Sequence, residues 1–221
     1  MNAATLLARN PLFHGVNGCH LTMLLGLGRE KFLVRKSSFF HEGDRADHCF
    51  LLLSGQIKLT QVGMDGSQIA ARLLGPGEIF GWSGLFGSSH YPGAAETLLD
   101  SRALYWETPA IRQIMMSAPQ LALNALTLLG GRLREAETRL QELATARVDH
   151  RIASALVRLS TPATASSLPL SRQDLAEMCG TTLYTVSRTL SAWEQKGWIR
   201  LGRLSIEVRS REELSRLLFP S

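Results

Sequence analysis

The side chains best suited to selective recognition lie between Ser171 and Trp193. Arg188 carries a guanidinium group, which can donate two hydrogen bonds to one pair of acceptors such as O6 and N7 of guanine. Hydroxyl groups precede it in the chain, from Thr182, Tyr184, Thr185 and Ser187. Side chains of these types contact base edges and phosphates in nucleic-acid interfaces. The alternative role for Arg188 is a surface salt bridge with Glu194 or Asp174.

Two short helices joined by a tight turn would position these side chains. Ser171 followed by Asp174 three residues later is typical of a capping box at the start of a helix. Gly180 supplies the positive φ that the turn needs, and Thr181 or Thr182 can cap the second helix. The second helix is expected to bury a stripe that consists of Leu183, Val186, Leu190 and Trp193.

The residues after this second helix predict a β-hairpin wing. Gly202-Arg203 is expected to form its turn between two short strands, and Arg200 and Arg203 could reach a phosphate backbone. Ser210 and Glu213 then resemble a second capping box, which opens a last short helix. The order of helix, helix-turn-helix and wing is typical of DNA-binding domains.

A long helix is predicted to precede this motif and to begin after Pro119. Its apolar and small residues recur at alternating steps of four and three, at Ala122, Leu126, Leu129, Leu133, Ala136, Leu140 and Leu143. A heptad seam this narrow favours pairing with a second helix over packing against a single domain. Gly130-Gly131 interrupts the pattern and indicates either a close backbone approach, which we favour, or a bend.

The region before Pro119 predicts a sheet-rich domain. Short apolar runs alternate with glycine-containing turns at roughly ten-residue spacing, which is typical of closed or rolled sheets. Asp65-Gly66 between two such runs predicts a hairpin. The predicted fold class is therefore α+β, with an antiparallel β-roll (a double-stranded β-helix or jelly-roll-like domain) over 1–118, a dimerisation helix over 119–147 and a winged helix-turn-helix over 148–221.

Charge and composition narrow the partners. The chain has 221 residues and a net charge of +5. Residues 1–108 carry nine basic and nine acidic side chains, so the whole excess lies in the second half and suits a polyanion. Three scattered cysteines form no disulfide framework or zinc site. No membrane-spanning run or signal pattern is present, and we expect a cytoplasmic protein without a metal site.

Together these segments resemble the CRP/FNR family of bacterial regulators over nearly the full chain. The resemblance rests on the order of HEGD (41–44), SGQIKL (54–59), GPGEIFG (75–81), the seamed helix at 119–146, SRQDLAEMCGTTLYTVSRTL (171–190) and the GWI wing entry. It implies a sensor domain like those that bind cyclic nucleotides and a homodimer. It also implies double-stranded DNA with a palindromic site and RNA polymerase as partners.

The resemblance also identifies departures from the cyclic-AMP-binding members. Trp82 follows Gly81 where those members carry a glutamate, and Pro92-Gly93 stands where they carry arginine and serine. Ala136-Glu137 replaces a pair of hydroxyl residues on the long helix. The cation for the cyclic phosphate is therefore missing, and cyclic AMP is not expected in the usual mode. The DNA-reading glutamate is also replaced, by Tyr184, which predicts an altered base preference beside a retained guanine contact.

The resemblance also raises the question of other cofactors and of an effector pocket. An iron–sulfur cluster is not expected, because Cys19 is the one cysteine near the N-terminus. A haem-based sensor of nitric oxide or carbon monoxide stays open, with His14, His20, His90 and Met64 as axial ligands. The residues that would line an effector pocket are Gly81, Trp82, Ser83, His90 and Tyr91, with Leu85 nearby.

The preferred function is a sequence-specific dimeric regulator that responds to a signal other than cyclic AMP. The main alternative is a constitutive regulator, in which bulky side chains fill the pocket. A cupin-like enzyme is not expected, because no close histidine pair, nucleophile elbow or P-loop is present. A protein–protein module with a purely structural helix-turn-helix would differ by showing no salt-dependent binding to DNA.

Overall fold

The computed structural model describes residues 3–63, 68–160 and 167–218. The chain forms two compact units, one of residues 1–66 with 72–135 and one of residues 136–221 with 67–71. In the described parts no single helix is both long and apolar enough to cross a membrane; one pair of helices, 108–117 and 119–145, passes by length and composition together but is bent by 114°.

The first unit opens with short helices that cover one face of a sheet. These are α1 (Ala3–Arg9), a 3-10 turn at Pro11–Phe13 and α2 (Gly18–Leu27). The side chain of Asn10 caps the 3-10 turn by accepting from Leu12 N at 2.8 Å. Trp106 donates its indole N–H to the carbonyl of Leu24 at 2.7 Å, which ties α2 to the sheet.

Within the described residues, the β-roll consists of seven strands. They are β1 (Arg29–Leu33), β2 (His48–Ser54), β3 (Ile57–Val62), β4 (Gln68–Leu74), β5 (Ile79–Phe80), β6 (Ala94–Thr97) and β7 (Ser101–Glu107). One sheet has the order β1-β7-β2-β5 and the other the order β4-β3-β6. The recorded pairings of β1, β2, β3, β5, β6 and β7 are antiparallel, as predicted.

Strand β2 separates two hydrophobic cores because its side chains alternate in direction. Cys49, Leu51 and Leu53 point to a core shared with the N-terminal helices. Phe50 and Leu52 point into a second core between the two sheets. A strand that is buried on both faces has a continuous apolar run in its sequence, which explains the run CFLLL.

The turn between β2 and β3 requires glycine. Gly55 has a φ of +92°, and a Cβ there would overlap Ser101 Oγ and the carbonyl oxygen of Asp100. The predicted Asp65-Gly66 hairpin lies outside the described residues, although it would join β3 to β4.

A 3-10 helix at Trp82–Phe86 and helix α3 (Thr108–Ser117) lead to helix α4 (Pro119–Thr145). Helix α4 is continuous through Gly130 and Gly131. Around Gly131 no atom of the described chain would meet an added Cβ within 4 Å. A packing role for these glycines inside one copy of the chain is therefore not supported.

The C-terminal unit has the predicted order with one additional strand. It consists of α5 (Val148–Leu159), β8 (Ser167–Leu168), α6 (Arg172–Met178), α7 (Leu183–Gln195), β9 (Ile199–Gly202), β10 (Ser205–Val208) and α8 (Arg211–Arg216). The sheet order is β8-β10-β9. Gly202 pairs with Ser205, so the hairpin turn consists of Arg203-Leu204 and not of Gly202-Arg203. Ser210 caps the start of α8, and its side chain accepts a hydrogen bond from Glu213 N.

We expect Ser171→Ala to lower the free energy of unfolding by about 1 kcal/mol, because Ser171 Oγ accepts from Asp174 N at 3.0 Å at the start of α6. Urea denaturation would measure the loss. Ser191→Ala, at an exposed position of α7, is the control and should change stability by less than about 0.5 kcal/mol. Equal stability of the two variants would contradict the role of the cap.

Candidate nucleic-acid interface and effector site

The turn between α6 and α7 is held by local hydrogen bonds. Ser171 and Asp174 form the predicted capping box, with each side chain bonded to the other residue's backbone N–H. Gly180 has the predicted positive φ, at +56°. Thr182 is the cap of α7, and its hydroxyl accepts from Thr185 N at 3.2 Å. The hydroxyls of these two threonines also bond each other at 2.9 Å.

The buried face of α7 is narrower than predicted. Val186, Leu190 and Trp193 are buried at 0–5% exposure. Leu183 is 47% exposed, so its predicted place in the buried stripe is wrong. Its position explains the error, because Leu183 is the first residue of α7 and a side chain there extends past the end of the helix.

The opposite face of α7 presents side chains that are available to a partner. Tyr184 is 74% exposed, and Arg188 and Ser191 are exposed as well. Ser187 is half-buried beside them. Among the described residues, the side chain of Arg188 makes no hydrogen bond or ion pair.

The two proposed salt-bridge partners of Arg188 are engaged elsewhere. Glu194 Oε1 accepts from Leu201 N at 2.7 Å, which fixes the wing against the end of α7. Asp174 Oδ2 accepts from Ser171 N at 3.0 Å inside the capping box. The described residues therefore show no salt bridge between Arg188 and either carboxylate.

The wing adds positive charge beside the exposed face of α7. Arg200 lies on β9 and Arg203 in the hairpin turn, and both are exposed. Lys196 lies 4.6 Å from the ring centroid of Trp198, so it packs on the wing. Guanidinium groups at these positions can contact phosphates without reading sequence.

Most of the predicted seam of α4 is exposed in the single chain, whereas Ala122 and Leu129 are half-buried. Leu126, Leu133 and Leu140 are 60–66% exposed. The side chain of Leu143 also approaches Gly180, because its Cδ2 lies 3.0 Å from the position that a Cβ on Gly180 would occupy. This last leucine of the seam therefore lies beside the turn that precedes α7.

Arg151 also connects the end of α4 to that turn. Its Nη1 donates to the carbonyl of Leu143 at 3.2 Å and its Nη2 to the carbonyl of Gly180 at 3.3 Å. Nothing in the sequence pattern marks this bridge, since an arginine in the first turn of α5 is ordinary on a solvated face.

The proposed effector residues are divided between the two hydrophobic cores of the roll: Trp82 packs against the first and Tyr91 belongs to the second. Gly81 has a φ of +69°, and a Cβ there would lie 2.8 Å from Phe50 Cδ2 and 3.0 Å from Phe40 Cε1. Trp82 packs against the core under the N-terminal helices, with the guanidinium of Arg132 5.8 Å from its ring centroid. Its neighbour Ser83 has a buried hydroxyl with no hydrogen-bond partner among the described residues.

Tyr91 is part of a different cluster, between the two sheets. Its ring stacks on Phe40 with centroids 3.7 Å apart. Its hydroxyl donates to His48 O at 2.7 Å and accepts from His48 N at 3.1 Å. Burial raises the pKa of Tyr91 to about 12, so the hydroxyl stays protonated at neutral pH. His90, the residue before it, is exposed, and its Nδ1 lies 2.8 Å from Ser89 Oγ.

Two of these residues, Trp82 and Tyr91, line separate cavities. Trp82 borders an apolar cavity of about 10 Å³, which has room for no more than one water molecule. Tyr91 borders a cavity of about 530 Å³ whose wall also carries Asp44 and Asp47. The sequence did not single out the aromatic cluster that fills the roll, although the pair Phe39-Phe40 is visible in it; its members are Phe39, Phe40, Phe50, Phe80 and Tyr91.

The haem and cluster ligands considered from the sequence are dispersed. His14 and Cys19 are exposed, His20 is half-buried, and Met64 lies outside the described residues. Burial raises the pKa of both Cys49 and Cys179 to about 12. Within residues 3–63, 68–160 and 167–218, no group of three histidine, cysteine or acidic side chains has the geometry to hold a metal ion.

Comparison with known proteins matches both units. The Crp-like helix-turn-helix domain matches residues 150–217, and the cyclic nucleotide-binding domain matches residues 30–118. The cyclic AMP receptor protein of Thermus thermophilus is 30% identical, over 95% of this chain and 97% of that protein. The CRP-like cAMP-activated global transcriptional regulator of Mycobacterium tuberculosis is 26% identical, over 96% and 97%. FixK2 of Bradyrhizobium japonicum has a similar structure, with a TM-score of 0.76 at 25% identity over 86% of this chain and 96% of that one.

A helix-turn-helix that follows a roll of the cyclic-nucleotide-binding type defines a class of bacterial transcription regulators. The chain belongs to the CRP/FNR family of that class. Both the predicted fold class and the predicted family are thereby confirmed.

Proposed function

We propose that this regulator is a cytoplasmic homodimer, without enzymatic activity, that reads a palindromic site in double-stranded DNA and acts on RNA polymerase. The observation that carries the proposal is the exposed face of α7, on which Tyr184 and Arg188 project without partners among the described residues. Leaving such side chains unpaired on a rigid, well-packed helix keeps them available for base edges.

The exposed seam of α4 supports the homodimer. Its leucines form an apolar stripe on a helix that is otherwise charged, and a second copy could bury the stripe at heptad spacing. Gly130 and Gly131 fit this arrangement, because glycine lets the backbone of a partner helix approach closely. Two-fold pairing of the seam would present two copies of α7 to one palindrome.

Base readout divides between side chains of different chemistry. Arg188 is the candidate for a bidentate contact with guanine O6 and N7. Tyr184 has a hydroxyl but no negative charge, so it cannot replace a glutamate that accepts from cytosine N4. Ser187 lies between them on the helix, while Thr182 and Thr185 are occupied with capping. The half-site is therefore expected to retain a guanine and to differ beside it.

The variant Arg188→Ala tests base readout. Selection from a randomised palindromic library should yield a fixed guanine for the wild type and no preference there for the variant. Discrimination at that position should fall about 5- to 150-fold, because a bidentate contact contributes about 1–3 kcal/mol. Arg200→Ala is the control and should weaken all sequences equally, with a shallower salt dependence. A retained guanine preference in Arg188→Ala would refute the assignment.

The variant Leu133→Glu tests the dimer. A carboxylate in the seam should raise the dimer dissociation constant about 100-fold, through lost apolar burial and the cost of burying charge. Sedimentation equilibrium measures this constant directly. Met116→Glu is the control: Met116 is 86% exposed on α3, away from the seam, so that variant should stay dimeric. A wild type that is monomeric at micromolar concentration would contradict the proposal.

A second candidate function is a constitutive regulator that needs no effector, and the filling of the roll favours it. Four phenylalanines and Tyr91 pack between the sheets, beside the cavity of about 530 Å³, and Phe50 stacks on Phe80 with centroids 5.0 Å apart. Phe40 and Phe50 close against Gly81, and positions 82, 92 and 93 carry no basic side chain. The basic group beside the cluster is Lys31, whose Nζ lies 5.7 Å from the ring centroid of Phe39. The names of two relatives include cyclic AMP, but these contacts do not favour cyclic AMP in this chain.

The effector question has a direct test. We expect 1 mM cyclic AMP to leave the melting temperature unchanged, since a ligand stabilises only the state that it binds. The DNA affinity should also stay the same, within about twofold. The ultraviolet–visible spectrum of the same sample should lack a Soret band. Tight DNA binding by colourless, ligand-free protein would support the constitutive form, whereas a nucleotide-dependent rise in affinity would refute it.

A further inference from the structure

A cavity of about 530 Å³ lies in the first unit, beside the aromatic cluster of the roll. A cavity of this volume can hold a small organic molecule. Its aromatic lining consists of Phe50 on β2, Tyr105 on β7, and Phe39, Phe40 and Tyr91 in loops.

The cavity is separate from the positions that correspond to cyclic-AMP binding in the family. Trp82, Pro92 and Gly93 are not among the described residues that line it. Its wall is formed instead by β1, β2, β7 and the loop that precedes β2, together with Tyr91. A ligand here would be recognised by these other groups, and their chemistry defines what it can be.

One side chain of the wall already places an ammonium group on an aromatic ring. Lys31 Nζ lies 5.7 Å from the ring centroid of Phe39, within the distance of about 6 Å at which a ring attracts a cation. The neighbouring ring of Tyr105 is held edge-on to His48, with centroids 5.3 Å apart. Rings that are fixed in this way lose little entropy when a ligand binds.

The charged side chains at the cavity favour a cation. Three are acidic and two are basic, which leaves a formal charge of −1 apart from His48; they are Glu30, Asp44, Asp47, Lys31 and Arg45. Arg45 Nε lies 3.3 Å from Asp47 Oδ2, so this guanidinium is already paired. Glu30 Oε2 lies 3.6 Å from Arg102 Nη1.

Asp44 is the carboxylate of this group that has no lysine or arginine partner among the described residues. Its Oδ2 accepts from His41 N at 2.8 Å and lies 3.6 Å from His41 Nδ1. Burial is the main cause of the raised pKa of Tyr91, and the carboxylates of Asp47 and Asp44 raise that pKa further. These carboxylates therefore place a negative potential at the phenol, which attracts a cation and repels a phosphate.

We propose that this cavity is a binding site for a small alkylammonium ion, which packs on the aromatic wall and faces the carboxylate of Asp44. Cation–π attraction and the carboxylate charge act together there, because both favour a positive group. The inference concerns the roll and goes beyond the DNA reading proposed for α7, so neither depends on the other.

The three tyrosines of the chain provide the readout. Choline is titrated into the full-length protein with isotope-labelled tyrosine rings, at constant ionic strength, and the ring resonances are followed by NMR. Tyr91 and Tyr105 should shift, whereas Tyr184 on α7 should not. The neutral isostere of choline, in which a tert-butyl group replaces the trimethylammonium group, should bind at least about tenfold more weakly.

Two substitutions should change the affinity for choline in opposite directions. Asp44→Asn keeps an acceptor for His41 N but removes the charge, and it should weaken binding about fivefold. Lys31→Met removes the internal cation from the wall and should strengthen binding by about the same factor. Lys196→Met is the matched control and should leave the affinity unchanged, because Lys196 also packs on an aromatic ring, that of Trp198, but lies in the C-terminal unit.

Equal affinities for choline and its isostere, or unshifted resonances of Tyr91 and Tyr105 at tens of millimolar choline, would overturn the inference. Weaker binding by Lys31→Met would also overturn it, since a site for anions loses affinity when a cation is removed. None of these results bears on base readout by Arg188. The comparison of the two ligands on the wild type remains decisive even if a variant does not fold.

Discussion

The division of α7 into a buried face and an unpaired face is the constraint on which the proposed function of this chain depends. Val186, Leu190 and Trp193 fix the helix through complete burial, and the Ser171–Asp174 box and the Thr182 cap fix where α6 and α7 begin. With the orientation determined by these contacts, Arg188 and Tyr184 need no internal partner. Rigid support of this kind reduces the entropy lost when such side chains meet DNA.

The β-roll depends on one strand for both of its cores. Strand β2 supplies side chains to two cores, so its continuous apolar run determines both the packing of the N-terminal helices and the filling of the roll. Aromatic rings stacked edge-on and face-on occupy the second core. A ligand that entered this packed core, rather than the cavity of about 530 Å³ beside it, would have to displace these rings, and the lost aromatic burial would oppose its binding.

Most of the architecture could be predicted from sequence patterns among residues that are close together in the chain. The heptad steps of α4, the capping box at Ser171 and the glycine turn at Gly180 each depend on residues within one or two helical turns, so the sequence shows them directly. The features that were missed depend on distant or terminal neighbours. Strand β8 pairs with β10 from about forty residues away, and Leu183 leaves the buried stripe because the helix begins there. The aromatic cluster likewise unites residues from separate strands, which no local period reveals.

The bridge formed by Arg151 makes the C-terminal turn of α4 and the loop before α7 mechanically one piece. A single guanidinium holds the carbonyls of Leu143 and Gly180, and the Leu143 side chain lies against the same glycine. Rotation of the last turn of α4 about its own axis would therefore carry Gly180, and with it the start of α7, in the same direction. In the homodimer proposed above, the register in which the two copies of α4 pair would then set the distance between the two copies of α7.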